Sequence, residues 1–94
     1  MHYDRPSELL RAIAHPVRLA IIDLLGRHAA LSVTDIHEKL HIEQATASHH
    51  LKILRFNQVV DTNRQGRFTF YSLMYDDFQD ILRILRRLEG ESLA

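Results

Sequence analysis

The stretch "SVTDIHEKLHIEQATASHHLKILRF", residues 32–56, decides the fold of this chain. Ser32 is followed three residues later by Asp35, a weak relative of the capping box, in which a hydroxyl accepts from the third helical amide. This predicts a short helix from about Val33 to Leu40. A second helix is predicted over about 44–56, with Ala47, Leu51 and Leu54 on its inner face. His41 then falls in the turn between them, where a positive φ is common and His is tolerated better than most side chains. Directly downstream, "VVDTNRQGRFTFYSL" (59–73) changes character: β-branched and aromatic residues flank Gln65-Gly66 and predict two strands joined by a tight turn, a hairpin over about 58–73. Two short helices, a tight connection and a hairpin make a helix-turn-helix followed by a β wing.

The flanks supply further helices. "PSELLRAIA" has Leu9, Leu10 and Ile13 at helical spacing, with Pro6 or Ser7 near its start, which predicts a first helix over about 7–14. In "HPVRLAIIDLLGR", Pro16 suits a first helical turn and disfavours helix at His15, while Gly26 is expected to close the helix in a left-handed conformation. Leu19, Ile21, Ile22 and Leu25 give that helix a broad apolar face. A last helix over about 75–89 carries Phe78, Ile81, Leu82, Leu85 and Leu88. Asp76, Asp77 and Asp80 lie near its start and Arg83, Arg86 and Arg87 towards its end, the order the helix dipole favours. The expected fold is a single domain, residues 1–94, mainly α with a small β hairpin.

Composition narrows the function. Ninety-four residues, 46% hydrophobic and 26% charged, describe a small globular domain with little room for a substrate cleft of its own. With no cysteine, disulfides, thiolate metal sites and thiol redox chemistry are excluded. The apolar runs are too short to span a membrane and the N-terminus lacks the order of a signal peptide, so a cytoplasmic protein is expected. "HEKLH" (37–41) matches the H-E-x-x-H signature of zinc peptidases, but that chemistry needs both histidines one turn apart on a continuous helix, and the helix is expected to stop at Leu40. No enzyme is expected. Net charge is zero, yet residues 44–71 hold Lys52, Arg55, Arg64 and Arg67 against Asp61 alone, which makes this segment the candidate for phosphate contacts.

"LRAIAHPVRLAIIDLL", "LSVTDIHEKL", "QATASHHLKILR" and "VVDTNRQGRFTFYSL" together resemble the ArsR/SmtB family of bacterial winged-helix repressors, from about Leu9 to Leu88. The most specific pieces are A-x-x-H-P-x-R-L, S-H-H-L-K and the R-x-G-R turn. The resemblance implies a homodimer paired through its first and last helices, with each fourth helix in a major groove of double-stranded DNA and each wing at the adjacent minor groove. Wheel geometry agrees: with Ala47, Leu51 and Leu54 inward, Gln44, Ala45, Ser48, His49 and Lys52 fall on the opposite side. Gln44 can pair with adenine N6 and N7, Ser48 and His49 with base edges, and Ala45 with a thymine methyl. These four also match the family's contact positions. His50, nearer the packed side, is expected to be a hydrogen-bonded structural residue. Lys52, Arg55, Arg64 and Arg67 are expected at phosphates, with Arg64 or Arg67 able to enter the minor groove. Arg18 of the H-P-x-R motif is expected either there or in a buried-edge ion pair holding the second helix. Phe68, Phe70 and Tyr71 are expected to pack the wing and not to stack on bases.

Surplus apolar surface supports the dimer: Leu9, Leu10 and Ile13 in the first helix and Phe78, Ile81, Leu82, Leu85 and Leu88 in the last are the expected interface. At the positions that name an inducer in metal-sensing relatives the chain departs from the family. Ser32 and Thr34 stand where thiolates sit, and Tyr75, Asp77, Leu88 and Glu91 stand where four ligands cross the paired last helices. No cofactor is therefore expected. A nickel or zinc site of another design, from His2, His15, His28 or His41, is the alternative, and a winged helix that binds protein is the alternative of another class.

Overall fold

A computed structural model of the chain describes residues 1–92, the side chains of 91 and 92 excepted. The elements are α1 (Asp4–Ile13), α2 (Pro16–Arg27), β1 (Leu31–Ser32), α3 (Val33–Leu40), α4 (Gln44–Phe56), β2 (Val60–Gln65), β3 (Phe68–Leu73) and α5 (Asp77–Ser92). Ile21, Ile22, Ile36, Leu51, Leu54, Val59 and Val60 lose essentially all contact with solvent, so α2, α3, α4 and the foot of the wing share one core. Ile13, Phe78 and Leu82 close it from α1 and α5.

Local chemistry sets the boundaries. His15, extended before Pro16, accepts from the Val17 amide through Nδ1 at 3.1 Å and so caps α2. Ser32 Oγ accepts from the Asp35 amide at 3.2 Å while the Asp35 carboxylate accepts from the Ser32 amide at 3.4 Å, a complete capping box. α3 ends in a Schellman pair: the His41 amide donates to the Glu38 carbonyl at 3.3 Å and the Ile42 amide to the His37 carbonyl at 3.1 Å. His41 itself is left-handed, with φ 55° and ψ 44°. The helix therefore stops where the H-E-x-x-H motif would have to continue, and the His37 ring lies 3.2 Å from the Ile42 carbonyl.

Five details differ from expectation. α1 starts at Asp4, three residues before the expected 7, because Pro6 sits inside the first turn, where its missing amide removes no helical bond. α5 runs from Asp77 to Ser92, against the expected 75–89. Gly26 is helical; its role is tertiary, since a Cβ there would collide with the Gln79 side chain of α5. The sheet has three strands, in the order β1-β3-β2, because Leu31 and Ser32 pair with Tyr71 and Phe70 of β3. Gln65 opposite Phe68 makes the wing loop Gly66-Arg67, one residue later than expected, with the positive φ of 64° at Gly66.

Candidate nucleic-acid interface

α4 presents two unlike sides. Ala47, Leu51 and Leu54 are 0% exposed, and their burial fixes the helix's rotation. Gln44, Ala45, Ser48, His49, Lys52 and Arg55 are consequently all exposed, as their spacing predicts. Among the described residues, the side chains of Gln44, Ser48, Lys52 and Arg55 make no hydrogen bond or ion pair within the chain. A row of donors and acceptors left free beside two cations is what base edges and phosphates require.

The wing divides its two arginines. Arg64 Nε donates to the Gly66 carbonyl at 2.9 Å and so ties the hairpin loop to its own strand. The Arg67 guanidinium lies 5.4 Å from the centre of the Phe68 ring, a cation–π contact made by an exposed side chain. Phe68 remains 48% exposed, whereas Phe70 and Tyr71 are partly buried where β3 meets β1.

Behind the exposed face lies a connection that the sequence indicates only through its H-P-x-R and S-H-H-L-K motifs. Among the described residues Arg18 makes no ion pair: Nη1 donates to the carbonyls of Ala12, at 3.0 Å, and Arg11, at 3.4 Å, at the end of α1, and Nε donates to His50 Nδ1 at 3.1 Å. The carbonyls serve because an α-helix leaves its last ones without partners. His50, buried as expected, thus carries its proton on Nε2. Its ring packs against His15 with centroids 4.4 Å apart and meets His49 edge-on at 5.2 Å. Burial first, then the charges of His15, Arg18 and His49, hold the His50 imidazole below the ordinary histidine value of 6.5. Arg5, which no sequence signal singles out, donates from Nη2 to the Asn57 carbonyl at 3.1 Å and fastens the first turn of α1 to the far end of α4.

The expected dimer face separates into two groups. Ile13, Phe78 and Leu82 are at most 8% exposed within the single chain and belong to its core, so they have little surface left for a partner. Leu10 at 61%, Leu85 at 45% and Leu88 at 43% remain open, as does Ile84, which the expected interface did not include. Leu9 and Ile81 lie between these extremes. Asp23 of α2 pairs with Arg86 of α5 at 3.0 Å and with Arg27 at 3.3 Å, which seats α5 with this apolar stripe outward.

At the family's metal positions, Ser32 is committed to capping α3, Thr34 is exposed, and the Glu91 side chain lies outside the described residues. Among the described residues no three of His, Cys, Asp and Glu gather as a metal site, and no helix is long and apolar enough to cross a membrane.

Comparison with known proteins agrees with this geometry. A family model described as a helix-turn-helix domain matches residues 13–60. The transcriptional repressor PagR of Bacillus anthracis is 37% identical over 89 residues, covering 95% of this chain and 89% of PagR. The repressor SmtB of Mycobacterium tuberculosis is 44% identical over 70 residues, 74% of this chain and 51% of SmtB. Among solved structures, the homodimeric winged helix-turn-helix DNA-binding domain of a possible ArsR-family regulator from Mycobacterium bovis superposes with a TM-score of 0.85 at 25% identity, covering 99% of this chain and 85% of that one. With a capped helix-turn-helix, a free polar stripe on its second helix and a β wing, this chain belongs to the ArsR/SmtB family of winged helix-turn-helix transcriptional repressors.

Proposed function

We propose that the protein is a homodimeric, sequence-specific repressor that occupies a palindromic operator in double-stranded DNA and works by binding alone, without catalysis or cofactor. The observation that carries this is the α4 surface, where Gln44, Ser48, Lys52 and Arg55 are exposed and unpaired while the opposite side is locked in the core. Gln44, Ala45, Ser48 and His49 read base edges in the major groove, and Lys52 and Arg55 hold phosphates. In the wing, Arg67 reaches the minor groove, whereas Arg64 maintains the loop that carries it. Leu9, Leu10, Ile81, Ile84, Leu85 and Leu88 pair α1 and α5 with a second copy, and half-sites lie about one helical turn, roughly 34 to 36 Å, apart.

Selection of random duplex DNA by the purified protein in the presence of chelator, followed by sequencing, tests this. The expected result is an enriched inverted repeat. Failure to enrich any sequence, with chelator or with added nickel or zinc, would refute the proposal and leave a winged helix that serves another macromolecule.

A further inference from the structure

His15, Arg18 and His50, at the junction of α1, α2 and α4, form a polar cluster that DNA reading does not use directly. Arg18 links all three helices there by hydrogen bonds, using two sides of one guanidinium. One end grips the last carbonyls of α1 and the other donates to His50 Nδ1 on α4. The acceptor exists only while Nδ1 is unprotonated. Adding a proton replaces a hydrogen bond by two cations facing each other across 3.1 Å in a site that is 6% exposed.

We propose that Arg18 and His50 are a positioning pair that holds α4 in its DNA-reading orientation, that the reading state requires uncharged His50, and that acidification therefore releases the operator. This rests on the DNA-binding proposal above and adds to it a condition of the medium. The groups acting on His50 are His15 from the start of α2, Arg18 from α2 and His49 from α4. All three side chains are basic, so none offers a compensating negative charge. From α1 the carbonyls of Arg11 and Ala12 act through Arg18, and the charged side chains of Glu8 and Arg11 line the same surface hollow as Arg18.

The sign of the effect makes the inference testable. Positive charge added beside DNA in acid strengthens binding by adding phosphate neutralisation. His50 must act in the opposite direction: a proton taken up by free protein has to be expelled on binding, so affinity falls as the pH drops through the lowered range of His50, approaching about tenfold per unit for each of the two copies in a dimer. His50→Asn places an untitratable amide oxygen where Nδ1 stands, and Arg18→Met removes the donor.

The experiment measures affinity for the duplex enriched in the selection, labelled with fluorescein, from about pH 7.5 to about pH 5 at fixed ionic strength, with far-UV circular dichroism at each point. Wild type is expected to weaken severalfold with its helix signal intact. His50→Asn should bind comparably at neutral pH and stay level or tighten in acid. Arg18→Met should start about tenfold weaker and show no acid loss. Equal slopes for wild type and His50→Asn, or a wild-type loss that coincides with loss of helix, would overturn the inference and leave DNA binding standing. Absence of DNA binding at every pH would instead overturn the functional proposal on which it rests.

Discussion

Replacing Lys52 by Ala should change how DNA binding responds to salt by an amount that counts the subunits engaged. Lys52 is exposed, one turn beyond Ser48 on the free side of α4, and makes no hydrogen bond or ion pair among the described residues, so its removal costs the fold almost nothing. Each phosphate neutralised contributes about −0.9 to the slope of log affinity against log salt. A dimer presents two copies, so the variant's slope should be shallower by about 1.8. Between about 50 and 200 mM salt, a fourfold change, wild-type affinity should then fall about twelvefold further than that of the variant. Fluorescence anisotropy over a salt series measures both slopes. Gln44→Ala is the internal control: losing a bidentate base contact should cost about 1 to 3 kcal/mol in discrimination and leave the slope unaltered. An unchanged slope in Lys52→Ala would refute its placement at a phosphate, and a change of only about 0.9 would mean that one half-site is engaged at a time.

Three further substitutions test the frame. Ser32→Ala removes the side-chain half of the α3 capping box, leaving the backbone amide of residue 32 to donate to Asp35, and should cost about 1 kcal/mol, lowering Tm by about 4 to 8 °C at fixed protein concentration in thermal circular dichroism; no shift would mean the hydroxyl cap contributes nothing. His41→Gly relieves a left-handed backbone at φ 55° and should stabilise by about 0.5 to 1 kcal/mol, whereas His41→Ala, which keeps a Cβ, should change little; equal shifts in the two would contradict the backbone explanation. Leu85→Glu, at a residue 45% exposed, should yield a folded monomer by light scattering, while Leu82→Ala, at a residue 8% exposed, should cost about 2 to 5 kcal/mol of protomer stability; a Leu85→Glu protein that stays dimeric would place the interface elsewhere.

What was legible in the chain depended on whether the cause was local. Ser32 with Asp35, Pro16 after His15 and the spacing of Ala47, Leu51 and Leu54 act within a turn or two, and α3, α4 and the start of α2 lie where they indicate. Gly26 misled because a glycine near a helix end looks the same whether it caps the helix or makes room for Gln79 from a distant one. Two-residue β1 carries no periodicity and exists only by pairing with β3. The apolar period of α5 could not separate residues that fill the protomer's own core, such as Phe78 and Leu82, from those left open, such as Leu85. Arg18 was recognised as a motif residue, but its partners are mainly backbone carbonyls, which no residue type announces.

Arg5, at the opposite end of α1 from Arg18, donates to the Asn57 carbonyl just past the reading helix. α1 is thus stitched to α4 at both ends, and with α1 pairing to a second copy as proposed, assembly and operator recognition draw on one rigid unit. Thermodynamic reciprocity then runs both ways: whatever factor dimerisation adds to affinity for DNA, DNA must add to the affinity of one subunit for the other. Occupancy would rise more steeply than in proportion to protein concentration, so a modest fall in cellular abundance could clear the operator with no inducer at all.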